Sequence, residues 1–502
     1  MAAQSCWAGN ESSKAEKILG AQGIKRGCGS LLRGEIPVSN LEGTVDMRMP
    51  GRWRSLRFFG PAALVSVGYM DPGNWATDLE GGARFGYQLL WVLLASNLIA
   101  MLLQTLAVRL GIGGRIDLAQ ACRAHYGRPT VLALWGLCEV AIIACDLGSL
   151  LGSAIALNLL FNIPLGWGAL ITGADVVVVI ALQRYGIRKL EAFVGVMILT
   201  IAACMTLQIG LAQPVWGDVA GGFVPRLDSA SLLIAIGILG ATVMPHNLYL
   251  HSSLVQSRYV AHTETAQREA IRYNLFDTAG ALNIAFLING AILVLSAAAF
   301  FARGIEVTEL RQAHELLTPI LGTTLGATAF AVALLAAGQT STVTGTMAGQ
   351  IVMEGFLHFR MSAVRRRLLT RALALVPAVA VLFHSGEEGA LNMLIATQVV
   401  LSLQLPFAIV PLLRFTNTPA IMGTFTSPRW MRQLGRMCAL LVIGLNAWLI
   451  LQVLANAALV TQLSVGAIAG ACAGFLLWVG FIPLNYKIVL STAEGSAHNP
   501  PR

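Results

Sequence analysis

The stretch "GYMDPGNWATDL", Gly68 to Leu79, puts a carboxylate, a proline and a glycine inside an apolar segment. Proline removes a backbone N–H and clashes with the preceding turn, so a helix running through Asp71-Pro72-Gly73-Asn74 must break. Carbonyls of the half-helix before the break then lose their partners. In lipid such carbonyls are tolerated only against protein or a watery cavity, and the carbonyl end of a helix carries partial negative charge. A carboxylate near the bilayer centre costs roughly 2.5–3.5 kcal/mol on insertion scales. Asp71 is therefore a candidate functional residue; the bland alternative is a proline kink with an incidental aspartate near a helix end.

The surroundings are those of a membrane protein. Of 502 residues, 56% are hydrophobic and 12% charged, against about a quarter charged in soluble domains. Runs of about 20 apolar residues, the length of a spanning helix, recur at about 58–82, 87–111, 129–160, 164–183, 190–212, 231–257, 278–302, 318–356, 368–384, 389–413, 436–458 and 464–486. That makes twelve spans, with eleven as the alternative because little more than "ALVTQ" separates the last two. Residues 1–56 are polar and basic without an apolar core of signal-peptide length, and read as a disordered tail. Met47 and Met49 are alternative initiators. The eight cysteines form no C-x-x-C pair, which argues against a disulfide framework or a zinc site.

The net charge of +9 is distributed in a way that speaks against nucleic acid. Basic residues crowd the N-terminal tail and alternate loops, among them Arg184, Arg188 and Lys189, then Arg258, Arg268 and Arg272, then Arg360 and Arg365 to Arg367. The intervening loops hold only Arg84, Arg226, Arg303 and Arg311. By the positive-inside bias the N-terminus is cytoplasmic, and with twelve spans so is the C-terminus.

The opening stretch has a partner. "GATVMPHNLYLHSS", Gly240 to Ser253, repeats the pattern x-Pro-x-Asn at Met244-Pro245-His246-Asn247. The two copies lie five spans apart, so the second crosses the membrane in the opposite sense. Broken helices in corresponding positions of two halves mark an inverted repeat with a cation site at the midplane. Asp71, Asn74 and Asn247 offer hard oxygen and Met244 a soft thioether, a mixture that favours a transition metal over Mg²⁺ or Ca²⁺.

"DPGN" in the first run, "ATVMPHN" in the sixth, "GQTSTVTGTMAGQIVMEGF" (Gly338 to Phe356) and "TQVVLSLQLPF" (Thr397 to Phe407) together resemble the Nramp family of proton-coupled divalent metal transporters, in particular its bacterial manganese/iron members. The resemblance covers about residues 50–460. It implies an all-α polytopic protein with the leucine-transporter fold. Two inverted five-helix repeats would occupy 57–212 and 231–413, with broken helices 1 and 6, helices 11 and 12 at 436–486 and tails at 1–56 and 487–502. It further implies that Asp71, Asn74 and Met244 hold the metal through side chains and Ala241 through its carbonyl. Gln398 joins the shell in some states; its alternative role is helix packing. His246 and His251 are expected to serve proton linkage or gating, with a purely structural role as the alternative.

Glu139 and Asp146 lie seven residues apart on one helix face. Arg371 resembles the family arginine paired with them, as a proton exit path or a static salt bridge. The chain departs from many relatives in having Ser149 where they carry another acid. "GSLLG", Gly148 to Gly152, also fits close helix packing.

The expected activity is inward symport of Mn²⁺, Fe²⁺ or Cd²⁺ with protons by alternating access, in the bacterial inner membrane. Metal would enter past Asp78 and Glu80, and Asp71 would be the first proton acceptor. No ATP-binding loop is present, and the expectation is a transporter without resident cofactor rather than an enzyme. Metal ions, protons and lipid are its partners, and the oligomeric state is left open. The alternatives are a Mg²⁺ transporter of the same fold, which should lack Met244, and a sodium-coupled carrier of an organic substrate, for which Asp71 and Met244 are the wrong equipment. An intramembrane aspartyl protease is a poor match, because "TGADV" (Thr172 to Val176) lacks G-x-G-D.

Overall fold

The computed structural model describes residues 60–484 except 174–186 and positions 259, 262, 306, 308, 309, 360, 457 and 458. Both tails, Met47 and Met49, and the second half of the run 164–183 lie outside the described residues. What is described is almost entirely helical.

The first run is two helices. α1 (Pro61–Ser66) passes into a 3-10 turn at Val67–Met70, and α2 (Pro72–Phe85) begins afresh. Asp71 between them is extended, with φ −69° and ψ 164°, and Pro72 takes the first helical position, where its missing N–H costs nothing. The chain continues through α3 (Leu90–Gly113), α4 (Leu118–His125), α5 (Arg128–Phe161), α6 (Leu165–Gly173), α7 (Ile187–Ala212) and the short α8 (Trp216–Gly221). The sixth run repeats the break. α9 (Leu232–Thr242) ends, Met244 is extended at φ −66° and ψ 123°, and α10 starts with Pro245 and runs to Leu254.

Beyond it lie α11 (Glu264–Ala299), α12 (Leu310–Leu321) and α13 (Thr324–Leu357). The eighth run is therefore not one span. Gly322 at φ 69° ends α12, a backbone conformation that glycine adopts at no steric cost. α14 (Ala363–Gln404) is followed without a gap in pairing by α15 (Pro406–Thr416), then α16 (Pro419–Met422), α17 (Arg429–Asn456) and α18 (Leu459–Phe481).

α14 holds both the ninth and tenth runs, and it folds back between them. Arg371 bonds Asp146, and Thr397 lies against Gly148, two residues further along α5. In a straight helix those 26 residues would span about 39 Å.

Eight described segments are long and apolar enough to cross a membrane. The remaining apolar runs are represented by Pro61–Met70, α6, the first part of α14 and Val465–Phe481. α7 and α17 leave apolar side chains such as Leu199 (70% exposed) and Leu440 (70%) on the outside. Those faces belong in lipid, so the protein is a multi-pass membrane protein. α2, α5, α9, α10 and α13 are buried at the centre. Close approach there needs glycine: a Cβ at Gly152 of α5 would collide with Pro72, and one at Gly338 of α13 with Ser153.

Candidate functional site

In an α-helix the carbonyl of residue i accepts from the N–H of residue i+4. Pro72 therefore leaves the carbonyl of Gly68 without its helical donor, and Pro245 does the same to Ala241. These two carbonyls sit at adjoining breaks. A Cβ on Gly68 would collide with the Asn247 amide, and Asn247 Nδ2 donates across to the Val65 carbonyl at 3.5 Å. Gln398 of α14 is wedged between the two breaks. Its amide lies where a Cβ of Gly73 would stand, and its own carbonyl lies where a Cβ of Gly240 would stand.

The side chains gathered here are fully enclosed. Asp71, Met244, Asn247 and Gln398 are 0% exposed and Asn74 and His246 1%. Asp71 Oδ1 accepts the Asn74 N–H at 2.8 Å. Asn74 Nδ2 donates to the Tyr69 carbonyl at 2.5 Å, which fixes the amide with its oxygen free. Asp71 Oδ2, Asn74 Oδ1, Asn247 Oδ1, Gln398 Oε1 and His246 Nδ1 have no hydrogen-bond partner among the described residues. A buried acceptor left open costs about 1–3 kcal/mol. Several at one spot are relieved together by a cation. The Met244 side chain, packed with Ala141, Cys145 and Leu401, adds sulfur. Among the described residues no three His, Cys, Asp or Glu side chains gather as a metal cluster. The donors here are one carboxylate with amide, peptide and thioether groups, unlike a zinc site built from Cys and His.

The other expected residues fall into two branches. His251 Nδ1 bonds Gln104 Oε1 at 2.9 Å, and Gln104 Nε2 bonds the Tyr69 hydroxyl at 2.7 Å, so α10 is tied through α3 to the first break. His246 makes no such chain.

In the second branch Arg371 pairs with Asp146 at 2.9 Å, and among the described residues its ion pair is with that acid and not with Glu139. Arg367 meets the same Oδ1 at 2.7 Å. Glu139 is held by Arg366 through both oxygens, at 2.7 and 2.9 Å. The reason is the 3.6-residue turn: arginines at 367 and 371 share a face, and 366 is rotated away toward Glu139, two turns earlier on α5. Arg366 crosses α13 at Gly349, where a Cβ would collide with its guanidinium. The Ser149 hydroxyl bonds the Cys145 carbonyl at 3.0 Å and the Ser341 hydroxyl at 2.7 Å, donating to one and accepting from the other, so it is tied into the packing of α5 on α13. Of the two entrance acids, Asp78 is buried at 1% exposure, whereas Glu80 is engaged by Arg84 at 2.6 Å.

Sequence reading missed Gln104, Asn289, Arg366 and Arg367. Asn289 of α11 donates to the Tyr69 carbonyl at 2.6 Å, beside Asn74. Gln104 and Asn289 stand alone in apolar runs, a sufficient signal in itself, since intramembrane polar groups are functional candidates by default. The arginines were absorbed into the basic-loop count.

At the basic end of the bundle Asp277 of α11 accepts the N–H groups of Gly60 at 3.2 Å and Ala62 at 3.0 Å, which seats the start of α1. Arg258 joins Glu191 at 2.7 Å next to it. Burial weakens the charged form of Arg258, and Glu191 counters that.

A family model described as natural resistance-associated macrophage protein-like, Nramp, matches residues 62–452. The "Divalent metal cation transporter MntH" of Xanthomonas campestris pv. campestris is 55% identical over 403 residues, covering 79% of this chain and 91% of that protein. The solved manganese transporter of Eremococcus coleocola superposes with a TM-score of 0.81 at 37% identity, over 89% of this chain and 98% of the other. Mhp1, a nucleobase-cation-symport-1 family transporter, shares the architecture at a TM-score of 0.53 and 17% identity, over 81% and 93% of the two chains. The fold is thus the leucine-transporter type, and with two breaks of the same pattern meeting at its centre the chain belongs to the Nramp family.

Proposed function

We propose that the protein carries divalent transition metals, Mn²⁺ and Fe²⁺ with Cd²⁺ as a competent surrogate, inward across the bacterial inner membrane together with protons. The observation that carries this reading is the set of unpartnered buried acceptors where the two breaks meet. Asp71, Asn74 and Met244 bind through side chains and Ala241 through the carbonyl that Pro245 frees, with Gln398 closing the shell. Hard oxygen neutralises the ion, and the thioether ranks Mn²⁺ and Cd²⁺ above Mg²⁺ and Ca²⁺. The names of the relatives, a divalent metal cation transporter and a manganese transporter, support the substrate class.

A liganding carboxylate must be deprotonated, so binding at Asp71 releases a proton. The acid–arginine branch of Asp146, Glu139, Arg371, Arg367 and Arg366 takes that proton toward the basic end. With Arg366, Arg367 and Arg371 along it, this branch is a poor route for a dication, so metal and proton part ways. His251 belongs to the gate through Gln104 and Tyr69, and His246 stands by the site.

The repeats 57–212 and 231–413 rock against each other, and the inner route opens when α1 leaves Asp277. The N-terminus lies in the cytoplasm. No step makes or breaks a covalent bond in the substrate, so the protein is a carrier and not an enzyme.

The test is uptake of Mn²⁺ and Cd²⁺ into proteoliposomes holding an internal pH dye, with Mg²⁺ and Ca²⁺ as competitors. Mn²⁺-dependent acidification of the lumen is expected. Metal entry without acidification would end the symport reading, and full competition by Mg²⁺ would end the transition-metal reading.

A further inference from the structure

A third proline, Pro406, lies in the same membrane-embedded core, where Leu405 before it keeps helical dihedrals, φ −54° and ψ −42°, so the helix bends without opening. Pro406 opens α15 directly after α14, and by the same i to i+4 rule it takes the helical donor from the carbonyl of Ser402. This carbonyl does not stay open. Asn446 of α17 donates its Nδ2 to Ser402 O at 2.8 Å, and Asn446 Oδ1 accepts the Ser402 hydroxyl at 3.0 Å. The Leu405 N–H, shared with Leu401, reaches the same carbonyl at 3.2 Å.

Asn446 is 5% exposed on a helix whose neighbouring residues Ala447 and Trp448 face outward. Through the residue before it, Leu445, and Leu449 about one turn after it, α17 packs on Leu232 and Ile236 of α9 and on Val399. The capped turn is also the turn on which the second break leans. Gly240 presses directly on the Gln398 carbonyl and on the backbone and Cβ of Ser402.

We propose that Asn446 is a positioning residue for the metal site. By replacing the donor that Pro406 lacks, it holds the bend after Ser402, and so sets where Gln398, one turn earlier, stands between the two breaks. On this reading α17, outside the paired repeats, is a brace for the ion site and not a passive addition. The inference rests on the metal-carrier reading above for its functional consequence, and on backbone chemistry alone for the cap.

The test uses full-length protein carrying Asn446→Leu, alone and combined with Pro406→Ala, and Ser402→Ala as a control. Pro406→Ala restores the missing N–H, so the carbonyl no longer needs Asn446. Two quantities are read: thermal stability of the purified protein without metal, and the concentration dependence of Mn²⁺ uptake in proteoliposomes.

In the native background Asn446→Leu is expected to lower Tm and raise the apparent KM for Mn²⁺ about threefold to tenfold, the range for one interhelical hydrogen bond in a membrane, with maximal rate changed less. In the Pro406→Ala background the same substitution loses at least half of both effects. Ser402→Ala, which keeps the carbonyl, costs less than Asn446→Leu.

Equal losses in both backgrounds, or a loss from Ser402→Ala as large as that from Asn446→Leu, overturns the proposal. So does a fall in Tm and maximal rate with KM unmoved, which marks general destabilisation. If wild-type protein moves no Mn²⁺ beyond protein-free liposomes, it is the carrier reading that fails, and the Tm comparison still decides the cap.

Discussion

At the first break the residue before the proline is a carboxylate, and Asp71 caps the helix it precedes by accepting the Asn74 N–H at 2.8 Å. At the second break the corresponding residue is Met244, whose side chain caps nothing. The backbone plan is the same, an extended residue followed by proline at the first helical position. One half thus supplies an anion already tethered by one oxygen and open at the other. The other half supplies a free carbonyl and a sulfur with no competing bond. The shared pattern x-Pro-x-Asn gives both breaks one backbone plan, and the residue before each proline makes them chemically different.

The largest expected effect comes from breaking the asymmetry at Asp71. Asn caps a helix about as well as Asp, so Asp71→Asn should leave Tm nearly unchanged while Mn²⁺ uptake falls by more than the roughly 10–100-fold typical for loss of an outer-shell partner of a metal. An equal loss of stability would show that the carboxylate serves the fold and not the ion.

Next in size is the contrast between the two glycines that flank Gln398. Gly240→Ala meets backbone, the Gln398 carbonyl and the Ser402 amide, which cannot yield cheaply. Overpacking of about 1–3 kcal/mol should appear as lowered Tm. Gly73→Ala meets only the end of a flexible amide. It should leave Tm nearly intact and weaken Mn²⁺ binding, measured by calorimetry on the purified protein. If both variants lose stability alike, Gln398 is a packing residue and not a movable ligand.

Met244→Ala is expected to shift the uptake ratio of Cd²⁺ to Ca²⁺ about tenfold toward Ca²⁺, equivalent to roughly 1.4 kcal/mol. An unchanged ratio removes sulfur from the selectivity argument. Smallest is Met244→Asn, which gives the second break the cap that the first one has. A gain of about 0.5–1 kcal/mol in stability, read by denaturant titration of the purified protein, should accompany the loss of thioether selectivity.

Legibility followed the same division. Asp71-Pro72 and Met244-Pro245 announced both breaks, since a proline acts on its own chain within one turn. Asp71, Asn74 and Gln398, named from sequence and resemblance, each keep a buried oxygen without a hydrogen-bond partner among the described residues. The division of the arginines, Arg367 and Arg371 to Asp146 and Arg366 to Glu139, was not legible. Which arginine meets which acid depends on the rotation of α14 against α5, and Gly349 opens the way for Arg366. The single run 318–356 concealed the end of α12 at Gly322, because hydropathy does not register one glycine of positive φ.

By itself, then, the sequence determined which carbonyls lose a helical donor. Prolines at 72, 245 and 406, like Pro319, Pro377 and Pro411 inside helices, each cancel one donor, and that is a covalent property no packing can alter. Only the tertiary structure decided what each such carbonyl is for. It sets the breaks at 72 and 245 against each other with unpartnered oxygens between them, and it brings Asn446 from a helix 40 residues downstream to cap the carbonyl freed by Pro406. A carbonyl's lost partner is fixed by its neighbour in the chain, whereas its replacement is set by whichever side chain the packed helices bring within reach.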